Sequence, residues 1–294
     1  MFKTSQLFDN FLKSPIKLKI FFSFIFIFFA IIMVSISFVV NYNYENKFMN
    51  QDIHKKATSL IDSKLVMFKH HMDMYRFSLE AVSNNDIFKS YLKTSTNKKD
   101  AASIFETIIG SDNNIMQIRY IDQNGMENIR FDRSERGLRY KKVNDKDLQN
   151  KKDRYYFKEV STLKESSPMW ISDIDLNIEN GKVQQPHVPT VRFAKPVYSD
   201  NEFKGIVILN IFMKDILKSL TNSPMFTISL LDKEGEFLIG KKEIDGSVVD
   251  YSWSKYLLKE VDIKHFAPKY INQILNSYEF HSELFHTKRI SAQL

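Results

Sequence analysis

The chain has 294 residues, of which 43% are hydrophobic and 26% are charged, and its formal charge is +7. This length has room for about two domains, and the composition allows a packed soluble core beside any membrane segment. Basic and acidic residues are interspersed and no aromatic–basic motif occurs, so the charge indicates a solvated surface and argues against a nucleic-acid partner. The chain has no cysteine, which fits an exported domain without disulfides and a cytosolic protein equally well.

An uncharged apolar run of 21 positions, Ile20–Val40, is the first element of the chain. At about 1.5 Å per helical residue it spans the hydrocarbon layer of a bilayer. Lys17 and Lys19 precede the run and Tyr42 and Tyr44 follow it, which predicts a cytoplasmic N-terminus and an exported remainder. A cleaved signal peptide is the alternative, but the run exceeds the usual apolar region of such peptides and no small-residue cleavage site follows.

The next segments have helical periodicity. Residues 45–82 carry apolar side chains at steps of three and four with no Gly or Pro, which predicts one long helix continuous with the apolar run. Two shorter helices are predicted over Ile87–Leu92 and Lys98–Ile109. Asn84, Asn85 and Asp86 separate the long helix from the first of them and supply its N-cap.

From Ile115 the periodicity changes to two. Alternation on both sides of Gly125 predicts a β-hairpin whose turn uses the positive φ that glycine allows. The stretch 153–210 follows, with a short amphipathic helix and three predicted strands. These strands are Trp170–Leu176, Thr190–Val197 and Gly205–Phe212, the last so uniformly apolar that a central position is expected.

A second hairpin is predicted around Gly235, after a short helix over Asp215–Leu220. Its strand-Asp-x-x-Gly-strand pattern repeats that around Gly125 and suggests two related modules in tandem. Tyr251–Leu258 and Pro268–Leu275 are predicted helices, and no further strand is predicted before the last residue.

Four segments carry a resemblance to a known family: RYIDQNGMENIR at 119–130, DRYYF at 153–157, WISDIDLNIENGKV at 170–183 and PTVRFAKPVYSDNEFKGIVILNI at 189–211. Over roughly residues 42–280 the chain resembles the double-Cache, PAS-like extracytoplasmic sensor regions of bacterial histidine kinases, diguanylate cyclases and chemoreceptors. The resemblance implies an α+β fold with an N-terminal transmembrane helix, a long stalk helix and two tandem Cache modules, each an antiparallel sheet flanked by helices. The expected segments are a cytoplasmic N-terminus (1–19), a transmembrane helix (20–41), the long helix with the helical start of the sensor (42–112), a membrane-distal module (113–222) and a membrane-proximal module (223–294).

The sequence departs from this pattern at its end. Such receptors return through a second membrane helix to a kinase, cyclase or signalling coil, and neither follows here. The second module also lacks its last strands by this prediction. The expectation is therefore a fragment of a longer receptor or a truncated gene.

In the family, ligand binds in the distal module between the sheet and its covering helix and loops. Carried onto the matching segments, the resemblance gives nine candidate ligand-binding residues: Arg119, Arg130, Arg154, Tyr156, Trp170, Asp173, Asp175, Asn177 and Arg192. Arginines offer forked donors to a carboxylate, aromatic rings can face a cation, and two aspartates on one face of a strand could hold an ammonium. An amino-acid-like or carboxylate ligand fits this mixture. The alternative is that Arg130, Arg154 or Arg192 pairs with Asp173 or Asp175 and ties helix to sheet.

Enzyme motifs are absent, and no cofactor is expected. Asp173 and Asp175 with Glu179 are a poor basis for acid–base catalysis, because the two aspartates lie on one short predicted strand. His70 and His71 are adjacent and point about 100° apart on a helix, so they do not predict a metal site. His187 is interpreted as a surface-loop residue, with gating or pH sensing as the alternative.

Three functional hypotheses follow. The first is the extracytoplasmic ligand-sensing region of a transmembrane receptor, held in the inner membrane by one span, with the sensor in the periplasm and a homodimer as its working form. The second is a ligand-free interaction module that docks a periplasmic binding protein or a partner receptor. The third is a membrane-anchored exported enzyme, which predicts a cleft with convergent titratable groups.

Overall fold

The computed structural model describes residues 15–134, 139–179, 182–184, 187–232, 237–244, 247–250, 252–253, 279–281 and 286–288. The chain divides into two compact units, Met1–Leu60 and Ile61–Leu294. The helices are α1 (Pro15–Asn84), α2 (Asp86–Thr94), α3 (Lys98–Ser111), α4 (Tyr155–Val160) and α5 (Lys214–Thr221).

Helix α1 has 70 residues and confirms the predicted continuity of the apolar run with the long helix. Most apolar side chains in the part of α1 that belongs to the first unit are exposed, among them Phe24, Phe26 and Phe38. This part of α1 is long and apolar enough to cross a membrane. The predicted cap after α1 is also present, because the Asn85 side chain accepts hydrogen bonds from the backbone of Ile87 and Phe88.

The second unit is built on a seven-stranded sheet, with strand order β3-β2-β1-β9-β8-β4 and β5 also paired to β8. All of its pairings are antiparallel. Its strands are β1 (Ile115–Asp122), β2 (Glu127–Arg133), β3 (Tyr140–Lys142), β4 (Trp170–Ile171), β5 (Asp175–Leu176), β8 (Pro189–Ser199) and β9 (Glu202–Phe212).

The remaining strands form two-stranded pairs. They are β6 (Ile178–Glu179), β7 (Lys182–Val183), β10 (Leu230–Leu231), β11 (Phe237–Ile239), β12 (Lys241–Ile244), β13 (Ser247–Asp250), β14 (Glu279–His281) and β15 (His286–Lys288).

Alternation along the strands gives the sheet two different faces. One face packs its aliphatic side chains against α1, α2 and α3, where Tyr75, Leu79, Phe88 and Phe105 are fully buried. The other face packs against α4 in a smaller cluster of Ile121, Tyr156, Phe157, Val160, Ala194, Ile206 and Ile208. Strand β9 lies between β1 and β8, the central position expected from its apolar run.

The hairpin around Gly125 is present as predicted, with a φ of +82° at that residue. A Cβ there would come within 2.6 Å of the Lys152 backbone, so the site needs glycine for space as well as conformation. The turn therefore holds the segment that leads into α4 close to the sheet.

Two strand predictions were wrong. The predicted strand Trp170–Leu176 is two short strands, β4 and β5. Between them the Ser172 hydroxyl, rather than a backbone carbonyl, accepts from the backbone N–H of Arg192 on β8. The prediction of no strand near the end was also wrong, since β14 and β15 pair there. These two are three-residue strands with little apolar alternation, which leaves a weak sequence signal.

The second predicted hairpin is present as the antiparallel pair β10–β11, although its turn lies outside the described residues. The helix predicted over 251–258 lies outside them except for Ser252 and Trp253, which form a turn, and the helix over 268–275 lies wholly outside them. A second module over 223–294 stays a prediction.

Candidate functional site

Polar side chains form a row across the face of the sheet that α4 covers. Gln117 on β1 is paired with Asp132 on β2 and with Asn210 on β9, and Asn210 is paired with Arg192 on β8. Directly opposite residues of neighbouring strands point to the same face. The row therefore carries donors and acceptors across four strands.

The adjacent row runs Arg130, Arg119, Ile208, Ala194 and Trp170 in the same way. It is charged at one end, aliphatic in the middle and aromatic at the other. We call the two rows together the polar rows. They lie beside the apolar cluster under α4, and this combination of an apolar wall with a few convergent polar groups is typical of small-molecule sites.

Arg119 is the centre of the polar rows and is only 4% exposed. Its Nη1 donates to Glu127 Oε1 at 3.3 Å and to the Tyr156 hydroxyl at 3.4 Å, and its Nη2 donates to Asn210 Oδ1 at 3.1 Å. The guanidinium carbon also lies 5.6 Å from the centroid of the Tyr156 ring. Its Nε is buried and has no hydrogen-bond partner among the described residues. One donor of this arginine thus stays unsatisfied, at a cost of about 1–3 kcal/mol for a buried polar group.

Glu127 is the buried carboxylate of the site, with a side chain that is 0% exposed. Its Oε2 accepts from Arg130 Nη1 at 3.2 Å and from the Gln149 N–H at 3.1 Å. Burial alone would raise the pKa of this carboxyl, but the charges of Arg119 and Arg130 outweigh burial and hold the pKa below its ordinary value. The group is therefore an anion in the folded protein at neutral pH.

Arg130 makes a bidentate pair with Asp132, with both nitrogen–oxygen distances 2.8 Å. Burial would lower the pKa of its guanidinium, but Asp132 and Glu127 raise it above the ordinary value. Lys151 faces the same cluster, and burial lowers its pKa against the opposing effect of Glu127. Three cations, Arg119, Arg130 and Lys151, thus accompany two carboxylates, Glu127 and Asp132, and the cluster has an excess of positive charge.

Helix α4 contributes aromatic rings to the other end of the site. Arg192 Nη1 donates to the Tyr155 hydroxyl at 3.3 Å, and the Tyr155 and Trp170 ring centroids lie 6.0 Å apart. Trp170 donates from its indole nitrogen to Glu159 Oε2 at 2.8 Å, which ties β4 to α4. The guanidinium of Arg154 lies 5.9 Å from the Tyr156 ring centroid. Five of the nine predicted residues are therefore joined by contacts with each other or with α4: Arg119, Arg154, Tyr156, Trp170 and Arg192. Arg130 is joined to them through Glu127, the carboxylate that it shares with Arg119.

The other three predicted residues lie elsewhere. Asn177 is buried and its amide donates to Gln184 at 2.9 Å, away from the polar rows. Asp173 is exposed in the segment between β4 and β5, while Asp175 lies on β5 opposite Thr190. The two aspartates therefore do not share one strand, because Ser172 bonds to the Arg192 backbone and interrupts it.

Several residues of the site were missed by sequence reasoning, namely Gln117, Glu127, Asp132, Tyr155 and Asn210. Asn210 had a readable signal, because it is the one polar side chain in the apolar run Gly205–Phe212. Glu127 had none, because a register shift between Tyr120 and Ile121 sets its pairing with Ile121.

Residues 67–250 match the family model described as the sensor domain of bacterial histidine kinases. No curated protein matches the chain in sequence. Among solved structures, the chain is similar to the extracellular domain of a histidine kinase, vpHK1S-Z8, with a TM-score of 0.67 and 16% identity over 79% of this chain and 82% of that chain.

A domain of a sensory box/GGDEF family protein from Vibrio parahaemolyticus has a TM-score of 0.65 and 18% identity, covering 78% of this chain and 85% of that one. The ligand-binding domain of the Campylobacter jejuni chemoreceptor Tlp3, solved with L-norvaline, has a TM-score of 0.53 and 12% identity over 81% of this chain and 84% of that chain. At these identities the likeness shows the fold, which is of the Cache sensor type. The match of the family model over more than half of the chain shows that it belongs to the family of bacterial histidine kinase sensor domains.

Proposed function

We propose that this chain is the extracytoplasmic ligand-sensing region of a bacterial transmembrane receptor, anchored in the inner membrane by the apolar part of α1. Ligand binds to the polar rows beneath α4, in a membrane-distal Cache module over residues 113–222. A membrane-proximal module over 223–294 completes the sensor. The change on binding passes along α1 to an effector beyond this chain.

One observation carries the proposal: the cationic excess of the polar rows, with the unpartnered Nε of buried Arg119 at its centre. A buried guanidinium with a spare donor is suited to a carboxylate. Two of its neighbours, Tyr156 and Asn210, are neutral. A ligand could therefore replace their contacts without separating the charges of the Arg119–Glu127 pair.

The chemical class proposed is an amino acid or a related small carboxylate. The apolar cluster under α4 offers a surface for an aliphatic side chain, and Asp173 and Asp175 lie beyond Arg192 on the same edge of the sheet. Two structures with a similar fold support this class, since the Tlp3 ligand-binding domain was solved with L-norvaline and with L-valine.

Thermal unfolding of the purified full chain in detergent micelles tests the proposal. The probes are L-valine, L-isoleucine, L-norvaline, isobutyrate and isobutylamine. A compound present at 100 times its Kd stabilises a protein by about 2.7 kcal/mol, which gives a clear rise in Tm. We expect Arg192→Met to remove this rise and Lys195→Met, on the opposite face of β8, to keep it.

The second candidate is a ligand-free interaction module that docks a periplasmic binding protein or a partner receptor. It is favoured by the pairing of Arg130 with Asp132 and Glu127, which satisfies these charges within the chain. A panel in which no compound raises the Tm would support this candidate and count against direct sensing.

A further inference from the structure

The polar rows contain two buried guanidinium groups that flank one amide. Arg119 on β1 donates from Nη2 to Asn210 Oδ1 at 3.1 Å, and Arg192 on β8 lies directly opposite Asn210 in the ladder. Directly opposite residues of neighbouring strands point to the same face and lie close enough to interact. Arg119 is 4% exposed and Arg192 is 5% exposed. The two cations are therefore close to each other in one buried part of the sheet.

Adjacent tyrosines of α4 contact these two guanidinium groups. Arg119 Nη1 donates to the Tyr156 hydroxyl at 3.4 Å, and Arg192 Nη1 donates to the Tyr155 hydroxyl at 3.3 Å. The ring centroids of the two tyrosines lie 5.6 Å apart. We call Arg119 with Tyr156 the Arg119 pole, and Arg192 with Tyr155 the Arg192 pole.

The two poles differ in how their charge is neutralised. Arg119 pairs with Glu127, which it shares with Arg130. The Arg192 guanidinium has no ion pair among the described residues, and its one hydrogen bond there is to the neutral Tyr155 hydroxyl. A buried charge without a counter-charge is costly, and buried charges in proteins are normally paired. The Arg192 pole is therefore suited to an anion from outside the chain.

The charges of the polar rows and of the lysine that faces them indicate how much negative charge is missing. There are four cations and two carboxylates: Arg119, Arg130, Lys151, Arg192, Glu127 and Asp132. The excess of two positive charges is the charge that a dianion would balance.

The unused hydrogen-bonding groups of the polar rows are donors. Each carboxylate oxygen of Glu127 and Asp132 already accepts from an arginine. By contrast, Arg119 Nε has no partner among the described residues, and the hydroxyls of Tyr155 and Tyr156 accept from the arginines without donating to any described residue. A hydroxyl that accepts from a cation becomes a better donor. The groups that fit this surplus of donors are carboxylates, which only accept.

We propose that the ligand carries two carboxylates, one at each pole, joined by a short aliphatic chain. This inference rests on the proposed function and narrows its chemical class from an amino acid or a small carboxylate to a dicarboxylate. Ile208 lies directly opposite Arg119 and, on its other side, opposite Ala194, which is two residues from Arg192 along β8. Its side chain therefore offers an aliphatic surface between the poles. Dicarboxylic acids and acidic amino acids share this chemistry, and they differ in the ammonium group.

Calorimetric titration of the purified full chain in detergent micelles tests the inference. Succinate and glutarate are compared with butyrate and valerate, which have the same numbers of carbons and one carboxylate fewer, and L-aspartate and L-glutamate add the ammonium. We expect the best dicarboxylate to bind about tenfold or more tightly than its monocarboxylate, because the second carboxylate gains charge-assisted hydrogen bonds. Binding of succinate or glutarate without the acidic amino acids identifies a ligand that lacks the ammonium, and the reverse identifies an acidic amino acid.

Equal affinities for dicarboxylates and monocarboxylates would overturn the inference. If L-valine raises the Tm and no compound with two carboxylates binds, the inference fails while the proposed function stands. If nothing in either panel binds, both fail.

A matched pair of variants on β8 assigns the second carboxylate to the Arg192 pole. Arg192→Met leaves no described carboxylate without its ion-pair partner, and Lys195→Met is the control on the opposite face of the strand. We expect Arg192→Met to lower the affinity for the dicarboxylate to that for the monocarboxylate or below, and Lys195→Met to keep the preference. Tyr155→Phe removes only a hydroxyl from a residue that is 44% exposed, so it serves if Arg192→Met does not fold. It should reduce the preference by about threefold or more. A preference that survives these substitutions would overturn the inference.

Discussion

Arg119 combines contacts to a helix, a hairpin and the central strand in one side chain. It bonds to Tyr156 on α4, Glu127 on β2 and Asn210 on β9. Sequence reasoning identified Arg119, Arg130 and Tyr156 as site residues but missed Glu127 and Asn210, although Asn210 stands out as the polar residue of its apolar run. The reason is physical: their place in the site depends on strand register, and a one-residue shift would send each side chain to the other face.

Removal of the Glu127 charge is expected to destabilise the fold. Glu127→Gln leaves Arg119 and Arg130 buried with one carboxylate fewer, and breaking a buried pair in this way costs about 3–5 kcal/mol. Urea unfolding of the full chain, followed by tryptophan fluorescence, measures the loss. Glu106→Gln, at an exposed position of α3, is the control and should lie within about 0.5 kcal/mol of the natural chain. A similar loss of unfolding free energy in both variants would contradict the role of Glu127 as the buried partner of Arg119 and Arg130.

The same residue predicts a pH dependence. The pKa of Glu127 is lowered in the folded state. The stability that its charge contributes is therefore fully present above the pKa of the unfolded chain and is lost as the pH falls through the pKa of the folded protein. The difference in unfolding free energy between the natural chain and Glu127→Gln should therefore be constant from pH 7 to about 5 and shrink below roughly pH 4. Urea unfolding of both proteins at each pH measures this difference. A difference that stays constant down to pH 3 would contradict the lowered pKa of Glu127.

Helix α5 follows directly after β9 and joins the site to the long helix. The Lys64 ammonium on α1 donates to the carbonyls of Ser219 and Asn222 at the C-terminal end of α5. A cation at this end of a helix satisfies otherwise unpaired carbonyls and interacts favourably with the helix dipole. Together with α5, the bond links the strand that carries Asn210 to α1, and the proposed function uses this link as a path from the polar rows to α1.

Lys64→Met tests this link. We expect faster amide hydrogen exchange in the last turn of α5, by roughly fivefold for the loss of about 1 kcal/mol. Hydrogen-exchange mass spectrometry of the full chain measures the rates, with Lys69→Met at an exposed position of the same helix as control. If exchange in α5 is the same in the two variants, Lys64 does not hold the helix end.

The long elements were predictable from the sequence, whereas the break between β4 and β5 was not. Helix α1 and strands β1, β2, β8 and β9 carry a periodicity or a continuous apolar run over seven or more residues, and the sequence predicted each of them. Strands β4 and β5 have two residues each, and side-chain bonds rather than a continuous ladder determine where they stop. Such bonds have no periodic signature in the sequence.

At the scale of the whole molecule, the proposed placement depends on which side of the membrane the second unit occupies. Ser166→Cys is exposed in the loop after α4, and Thr4→Cys precedes the apolar run. We expect a membrane-impermeant maleimide to label the first in intact cells and the second only after permeabilisation. The reverse pattern would contradict a periplasmic sensor.

Under the proposed function the two faces of the sheet have separate tasks, and this separation has an evolutionary consequence. Residues that pack on α1, α2 and α3 alternate with residues of the polar rows, so under the proposed function a substitution at Gln117, Arg192 or Asn210 is expected to change recognition chemistry while the neighbouring side chains keep their packing. Relatives with the same scaffold can thus diverge in what they detect through a few alternate positions.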